Sequence, residues 1–347
     1  MRRSSEVTGA FLGGWRRVFA SPVLVGGAWL LTLLAALPAA LGVSDAIARH
    51  LGSSLMATRV AAGVDRWWWM EFSDQADGAA RTLAPDVIGF AAVLSNLNSI
   101  FDGLGPPRSV LAPVAVYAIL WLFLLGGVLD RLARGRRLGA RAFFGACGAF
   151  AGRFIRLWLF TLPAWILIGA FWALLFARLF PWVTRDVTAE HVAFAWYVAF
   201  CTLGLIPLAA LLVVVDYARV RAVVEDRRSM IGALAAAIRF ARRNVGAVAG
   251  LFALNVLTWL ALLAAYALLA PGGRGGAWQV VSVLAIGQAY ILARIVVRLV
   301  VLASATILFQ SRLAHARYAA APRPAWPDSP AAEAIENAAR YGVRPRE

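Results

Sequence analysis

The chain is 347 residues long, 61% hydrophobic and 15% charged, and its 34 basic against 18 acidic side chains leave a formal charge of +16. Every basic residue is arginine, and the mean hydropathy is +0.73. Such a composition excludes an ordinary water-soluble domain or a disordered chain. Its heavy use of Arg, Ala, Gly and Val points to a GC-rich bacterial genome.

The chain opens with Arg2 and Arg3 ahead of an amphipathic stretch, in which Val7, Phe11, Trp15 and Val18 recur at helical spacing beside Arg16 and Arg17. A first apolar run, Pro22–Val43, follows; its 22 residues exceed the apolar core of a signal peptide, so an uncleaved span is predicted. Segment 44–109 is the one long connection. It carries Asp45, Asp65, Glu71, Asp74, Asp77, Asp86 and Asp102 against five arginines, and its Trp67, Trp68, Trp69 and Phe72 suit a membrane interface. Val87, Phe90, Ala91, Leu94, Leu97 and Phe101 mark one face of a helix over 86–101. A connection this long is predicted to fold into two or three short helices that cap the outer surface.

Five more runs of spanning length complete a set of six: Val110–Leu129, Leu157–Leu179, Val192–Val215, Val245–Ala270 and Trp278–Phe309. Crossing a bilayer takes about 20 mostly apolar residues. Before the third run, Phe143, Cys147, Phe150 and Phe154 form an apolar stripe flanked by Arg141 and Arg153. Ile231, Leu234, Ile238, Ala241 and Val245 repeat it before the fifth, with Arg239, Arg242 and Arg243. Helices of this kind lie in the headgroup plane. The second and fourth runs end alike, in Asp130 with Arg134 and in Asp216 with Arg219, as helix-end ion pairs; Gln310 stands in the acid's place after the sixth. Beyond 318 the chain is a Pro/Ala-rich linker and then a short helix predicted over 331–340.

The fold class predicted is all-α. It is a polytopic membrane protein with six transmembrane helices in three interfacial-helix-plus-hairpin units and a helical extracytoplasmic cap. Residues 1–318 form the membrane domain, with the outer loop at 44–109, and 319–347 a cytoplasmic tail. Of the arginines, 24 fall in the inner segments and 8 in the outer ones, while the acids divide evenly, so both termini are predicted to be cytoplasmic in a bacterial inner membrane. Arginine against anionic headgroups at the cytoplasmic face accounts for the net charge, which makes membrane lipids the expected partners and excludes nucleic acid; protein partners stay open.

Catalytic signatures are missing. The chain has no Gly-rich phosphate loop, no GxSxG, HExxH or CxxC, and His50, His191 and His315 fall in separate segments, so neither a metal nor a cofactor is expected. Cys147 and Cys201 imply no disulfide framework. No carboxylate falls mid-span by this division of the chain.

The exception is Arg294 and Arg298, both inside the last run. With Gln310 aligned with Asp130 and Asp216 at the inner membrane edge, Arg298 lies about 18 Å above Gln310 and Arg294 about 24 Å, at 1.5 Å per residue. The corresponding positions in the second and fourth runs are Ala118 and Gly204, so the pair is no feature of the repeat. Three arrangements are open. Arg294 reaches outward to Glu71, Asp74 or Asp86 while Arg298 meets carbonyls freed by Pro163 or Pro207; or both hold an anionic headgroup or substrate in a cavity that Gln279, Gln288 and Tyr290 help to line; or the last run is displaced and neither is deep. Asn255 and Thr258 of the fifth run are placed to hydrogen-bond across to it.

The strings GGVLDRLARGRR, FFGACGAFAGRFIRL, DYARVRAVVEDRRS and WWWMEFSDQADG, followed by PDVIGFAAVLSNLNSIFDG, resemble a group of uncharacterised bacterial multi-pass membrane proteins over about residues 5–312. At greater distance the layout is similar to the membrane domain attached to some bacterial glycerophosphodiester phosphodiesterases. The catalytic barrel of those enzymes has no counterpart here, so the resemblance implies a membrane domain and no activity. The function expected is a non-catalytic accessory or lipid-interacting protein. The alternatives are a transporter of a small solute or lipid, and a membrane enzyme acting on lipid headgroups.

Overall fold

A computed structural model describes residues 2–52, 54–62, 65–78, 80, 108–135, 139–270 and 277–314. The described chain is helical and contains no strand among those residues. Its helices are α1 (Arg2–Phe19), α2 (Pro22–Leu51), α3 (Met56–Ala62), α4 (Arg66–Gln75), α5 (Arg108–Arg134), α6 (Ala140–Leu174), α7 (Phe180–Thr184), α8 (Glu190–Val224), α9 (Met230–Arg243), α10 (Val245–Leu269) and α11 (Ala277–Ala314). A π-helical turn, Leu175–Leu179, joins α6 to α7. Six stretches are long and apolar enough to cross a membrane: Pro22–Leu51, Leu111–Arg134, Ala140–Thr184, Glu190–Val224, Val245–Leu269 and Trp278–Leu313. Each covers one of the six predicted runs to within a residue, and the chain fits a multi-pass membrane protein.

The helices outrun the apolar segments that identify them, because an ionisable residue at the end of an apolar run continues the helical hydrogen-bond ladder as well as a leucine does. Thus α2 reaches Leu51 rather than Val43, and α8 continues through Asp216 to Val224.

Breaks fall where the sequence supplies them. Between α1 and α2 stand Ala20 and Ser21, with Pro22 at the first helical position of α2, where its missing N–H costs nothing. Asn244, at φ −122°, separates α9 from α10, and α9 starts at Ser229, whose hydroxyl accepts from the N–H of Gly232 at 3.3 Å. The second unit departs from expectation. Its amphipathic stretch is not a separate interfacial helix but the first part of α6, which is continuous from Ala140 to Leu174. Nothing between the stretch and the span plays the part of Pro22 or Asn244.

The pillar of the bundle is α11, which touches α1, α2, α5, α8 and α10. Its C-terminal half is deeply packed, with Leu299, Leu302, Ala303 and Leu308 fully enclosed. The first helix packs into it rather than resting only on the headgroup plane: Val18 is buried, and a methyl placed on Gly14 would meet Ser304 Cβ at 3.0 Å. Arg17 fastens this contact. It donates to the carbonyl of Leu132 at 2.7 Å and to Gln310 Oε1 at 3.2 Å, while Gln310 Nε2 donates to the carbonyl of Ala133 at 2.9 Å. Burial between helices lowers the pKa of Arg17 from the ordinary arginine value. Glu6 pairs with Arg312 at 2.6 Å on the same side.

Segment 44–109 contains α3 and α4. Asp65 caps α4 by accepting from the N–H groups of Trp67 and Trp68, both at 3.1 Å. Of the predicted interface tryptophans, Trp67 is exposed, whereas Trp68 is buried with Phe72 against Ile47 and Leu51 of α2, its indole N–H donating to His50 Nδ1 at 3.1 Å. The helix predicted over 86–101 and the tail after 318 lie outside the described residues.

Candidate functional site

Arg294 and Arg298 stand one turn apart near the middle of α11. At 1.5 Å per residue, Arg294 is about 26 Å from Ala277 and Arg298 about 24 Å from Ala314. Both side chains are exposed, and both line a cavity of about 820 Å³. Five helices build it: Thr32 comes from α2, Tyr117 and Trp121 from α5, Leu212, Asp216 and Tyr217 from α8, Asn255 and Trp259 from α10, and the arginines with Ile291 and Val301 from α11. Most of its wall is aliphatic or aromatic, the usual character of a ligand pocket with few polar contacts.

Asp216 lies just past the fourth apolar run, and because α8 continues through it the residue stays helical and reaches the cavity wall. It pairs with Arg219 at 3.0 Å, as the sequence predicts, and Asp130 pairs with Arg134 at 2.7 Å. Arg219 lies within electrostatic reach of Arg298. Two further polar groups belong to the wall. The hydroxyl of Tyr217 and Asn255 Oδ1 are buried without a hydrogen-bond partner, on side chains that are themselves more than nine-tenths buried.

Among the described residues no ion pair joins Arg294 or Arg298 to Glu71 or Asp74, and Asp86 lies outside them. The contact Arg294 does make is with its own helix, its guanidinium carbon lying 5.7 Å from the centre of the Tyr290 ring. Beside Pro207, the carbonyl of Gly204 accepts from the indole N–H of Trp172 at 3.1 Å.

Gln288 and Tyr290 do not line the cavity. The first accepts from the indole N–H of Trp29 at 2.9 Å, tying α11 to α2, and the second stacks on Tyr266 of α10 with ring centres 4.1 Å apart. Asn255 does bond across to α11 as predicted, donating to Ser304 Oγ at 3.4 Å, whereas Thr258 turns back to the carbonyl of Leu254 in its own helix. Tyr117, Trp121 and Tyr217 were not singled out by sequence. Tyr117 and Tyr217 lie within two turns of a span end, where aromatic side chains are common for unrelated reasons, and Trp121 sits in the middle of an apolar run with no distinguishing neighbour.

Among the described residues, Arg294 and Arg298 face the same space without an ion-paired carboxylate, and Asp216, the acid that lines it, is paired with Arg219. Among the described residues, no group of three or more His, Cys, Asp or Glu is placed to hold a metal ion. Compared with protein-family models, curated proteins and solved structures, the chain matches none.

Proposed function

We propose that this chain is an integral protein of a bacterial cytoplasmic membrane, with both termini inside, that binds anionic lipid through Arg294 and Arg298 and catalyses no reaction of its own. The observation that carries the reading is the exposure of two unpaired guanidinium groups, half-way along a spanning helix, into a largely apolar cavity. An arginine at bilayer depth costs several kcal/mol unless water or an anion accompanies it, so such groups mark functional sites more often than structural ones. Apolar walls beside the charge leave room for an acyl chain.

The arginine asymmetry of the sequence supports inner termini. Breaks after α1 and α9 support two of the three interfacial-helix-plus-hairpin units. Packing of α4 on the outer end of α2 supports a cap over the outer face. Of the outer acids, Asp45 pairs with Arg49 and Asp65 caps α4, which favours structural work over a hydrolytic pair. A transporter is the second reading, favoured by a cavity bounded by five helices, one of which carries Pro207 nine residues before Asp216.

Native mass spectrometry tests it. The wild-type chain in mild detergent is expected to retain a phospholipid adduct that Arg294→Leu/Arg298→Leu loses while eluting as the same monodisperse species. Equal retention by both proteins overturns the lipid reading. Solute flux into proteoliposomes that disappears in the double variant, with no retained lipid, selects the transporter.

A further inference from the structure

Resting on that reading of the cavity, we infer that the ligand is a lipid phosphate monoester, a dianion such as phosphatidic acid, rather than the phosphodiester headgroup of bulk phospholipid. Charge balance is the first argument. Arg294 and Arg298 bring two positive charges to the wall, and Asp216, the only acid on it among the described residues, is already paired with Arg219 at 3.0 Å. A phosphodiester, carrying one negative charge, leaves one guanidinium uncompensated in a low-dielectric environment, where an unpaired charge is costly. A monoester dianion leaves none.

Oxygen count is the second argument. Residues one turn apart on a helix hold their Cβ atoms about 5–6 Å from each other, so two guanidinium forks address one phosphate from the same side. Each fork takes two acceptor oxygens in its preferred bidentate geometry. A diester offers two free oxygens, which one fork occupies, whereas a monoester offers three. The buried hydroxyl of Tyr217 supplies a further donor on the same wall. Trp121, Leu212, Phe252, Val256 and Trp259 then face an acyl chain, which a free phosphate ion would leave unmatched.

The experiment uses the full chain in phosphatidylcholine nanodiscs at about pH 8, above the second ionisation of a phosphate monoester near 6. Dioleoyl phosphatidic acid and dioleoyl phosphatidylglycerol share their chains and differ in headgroup charge; inorganic phosphate is the third probe. Native mass spectrometry is expected to show phosphatidic acid retained at least tenfold over phosphatidylglycerol by the wild type. In Arg298→Leu, with one charge removed, that preference is expected to fall to about unity. Equal retention of the two lipids by the wild type overturns the dianion and leaves the anionic-lipid reading standing. If neither lipid is retained above phosphatidylcholine, or both survive in Arg294→Leu/Arg298→Leu, the reading beneath it fails. Inorganic phosphate that displaces phosphatidic acid at equal concentration overturns the lipid tail.

Discussion

The indole N–H of Trp172 in α6 donates to the backbone carbonyl of Gly204 in α8, 3.1 Å away. The neighbouring carbonyl, that of Leu203, loses its usual helical donor because Pro207 has no N–H. Gly204 has no side chain to keep the indole off the backbone, and a methyl there would lie 2.7 Å from Trp172 Cε2. Glycine and tryptophan are therefore one unit, set where α8 carries a proline.

Gly204→Ala is expected to destabilise the fold by about 1–3 kcal/mol, the usual range for overpacking a close contact. Trp172→Phe removes the hydrogen bond at about 1 kcal/mol and relieves part of the crowding. Thermal unfolding in detergent is expected to show the double variant less damaged than the sum of the two singles. Strict additivity would mean that the residues do not act on each other.

The Asp130–Arg134 pair has side chains only 9% and 16% exposed, respectively. Removing one partner of a buried pair strands the other, at about 3–5 kcal/mol, whereas removing both costs much less. Asp130→Ala is expected to lower the unfolding midpoint sharply, and Asp130→Ala/Arg134→Ala to recover more than half of the loss. A double variant as unstable as the single would show that Arg134 is solvated rather than held by its partner.

Orientation is checked in a background lacking Cys147 and Cys201. Leu55 is 89% exposed in the segment predicted to lie outside, and Arg228 is exposed in a segment predicted to lie inside. Leu55→Cys is expected to react with an impermeant thiol reagent in intact cells, and Arg228→Cys only after lysis. The reverse labelling pattern overturns the inference from arginine counts.

The number and order of the spans were legible in the sequence because twenty apolar residues in a row have few other uses. Their ends were less so. Asp216 reads as the edge of a run, yet it sits eight residues inside α8, since a helix does not stop at its first carboxylate. The stretch before the third span reads like those before the first and fifth, but only they end in Pro22 or Asn244, and a periodic apolar stripe alone says nothing about a break. Arg294 and Arg298 announced themselves by their cost in an apolar run. Tyr290, one turn before Arg294, was assigned to the same wall, but the ring of Tyr266 draws it to α10. A cavity assembled from five helices is a long-range property, and no local pattern encodes which rotation each helix takes.

The central position of α11 bears on how the protein is made. It is the last of the described spans to leave the ribosome, and each arginine at its centre adds about 2.5–3.5 kcal/mol to the cost of partitioning into lipid. The surrounding apolar residues, at a mean hydropathy of 2.2, work against that penalty. Before α11 is in place, the faces that α1, α2, α5, α8 and α10 turn toward it lack that partner. The same two side chains that line the cavity thus make the insertion of α11 sensitive to whether its neighbours have already gathered.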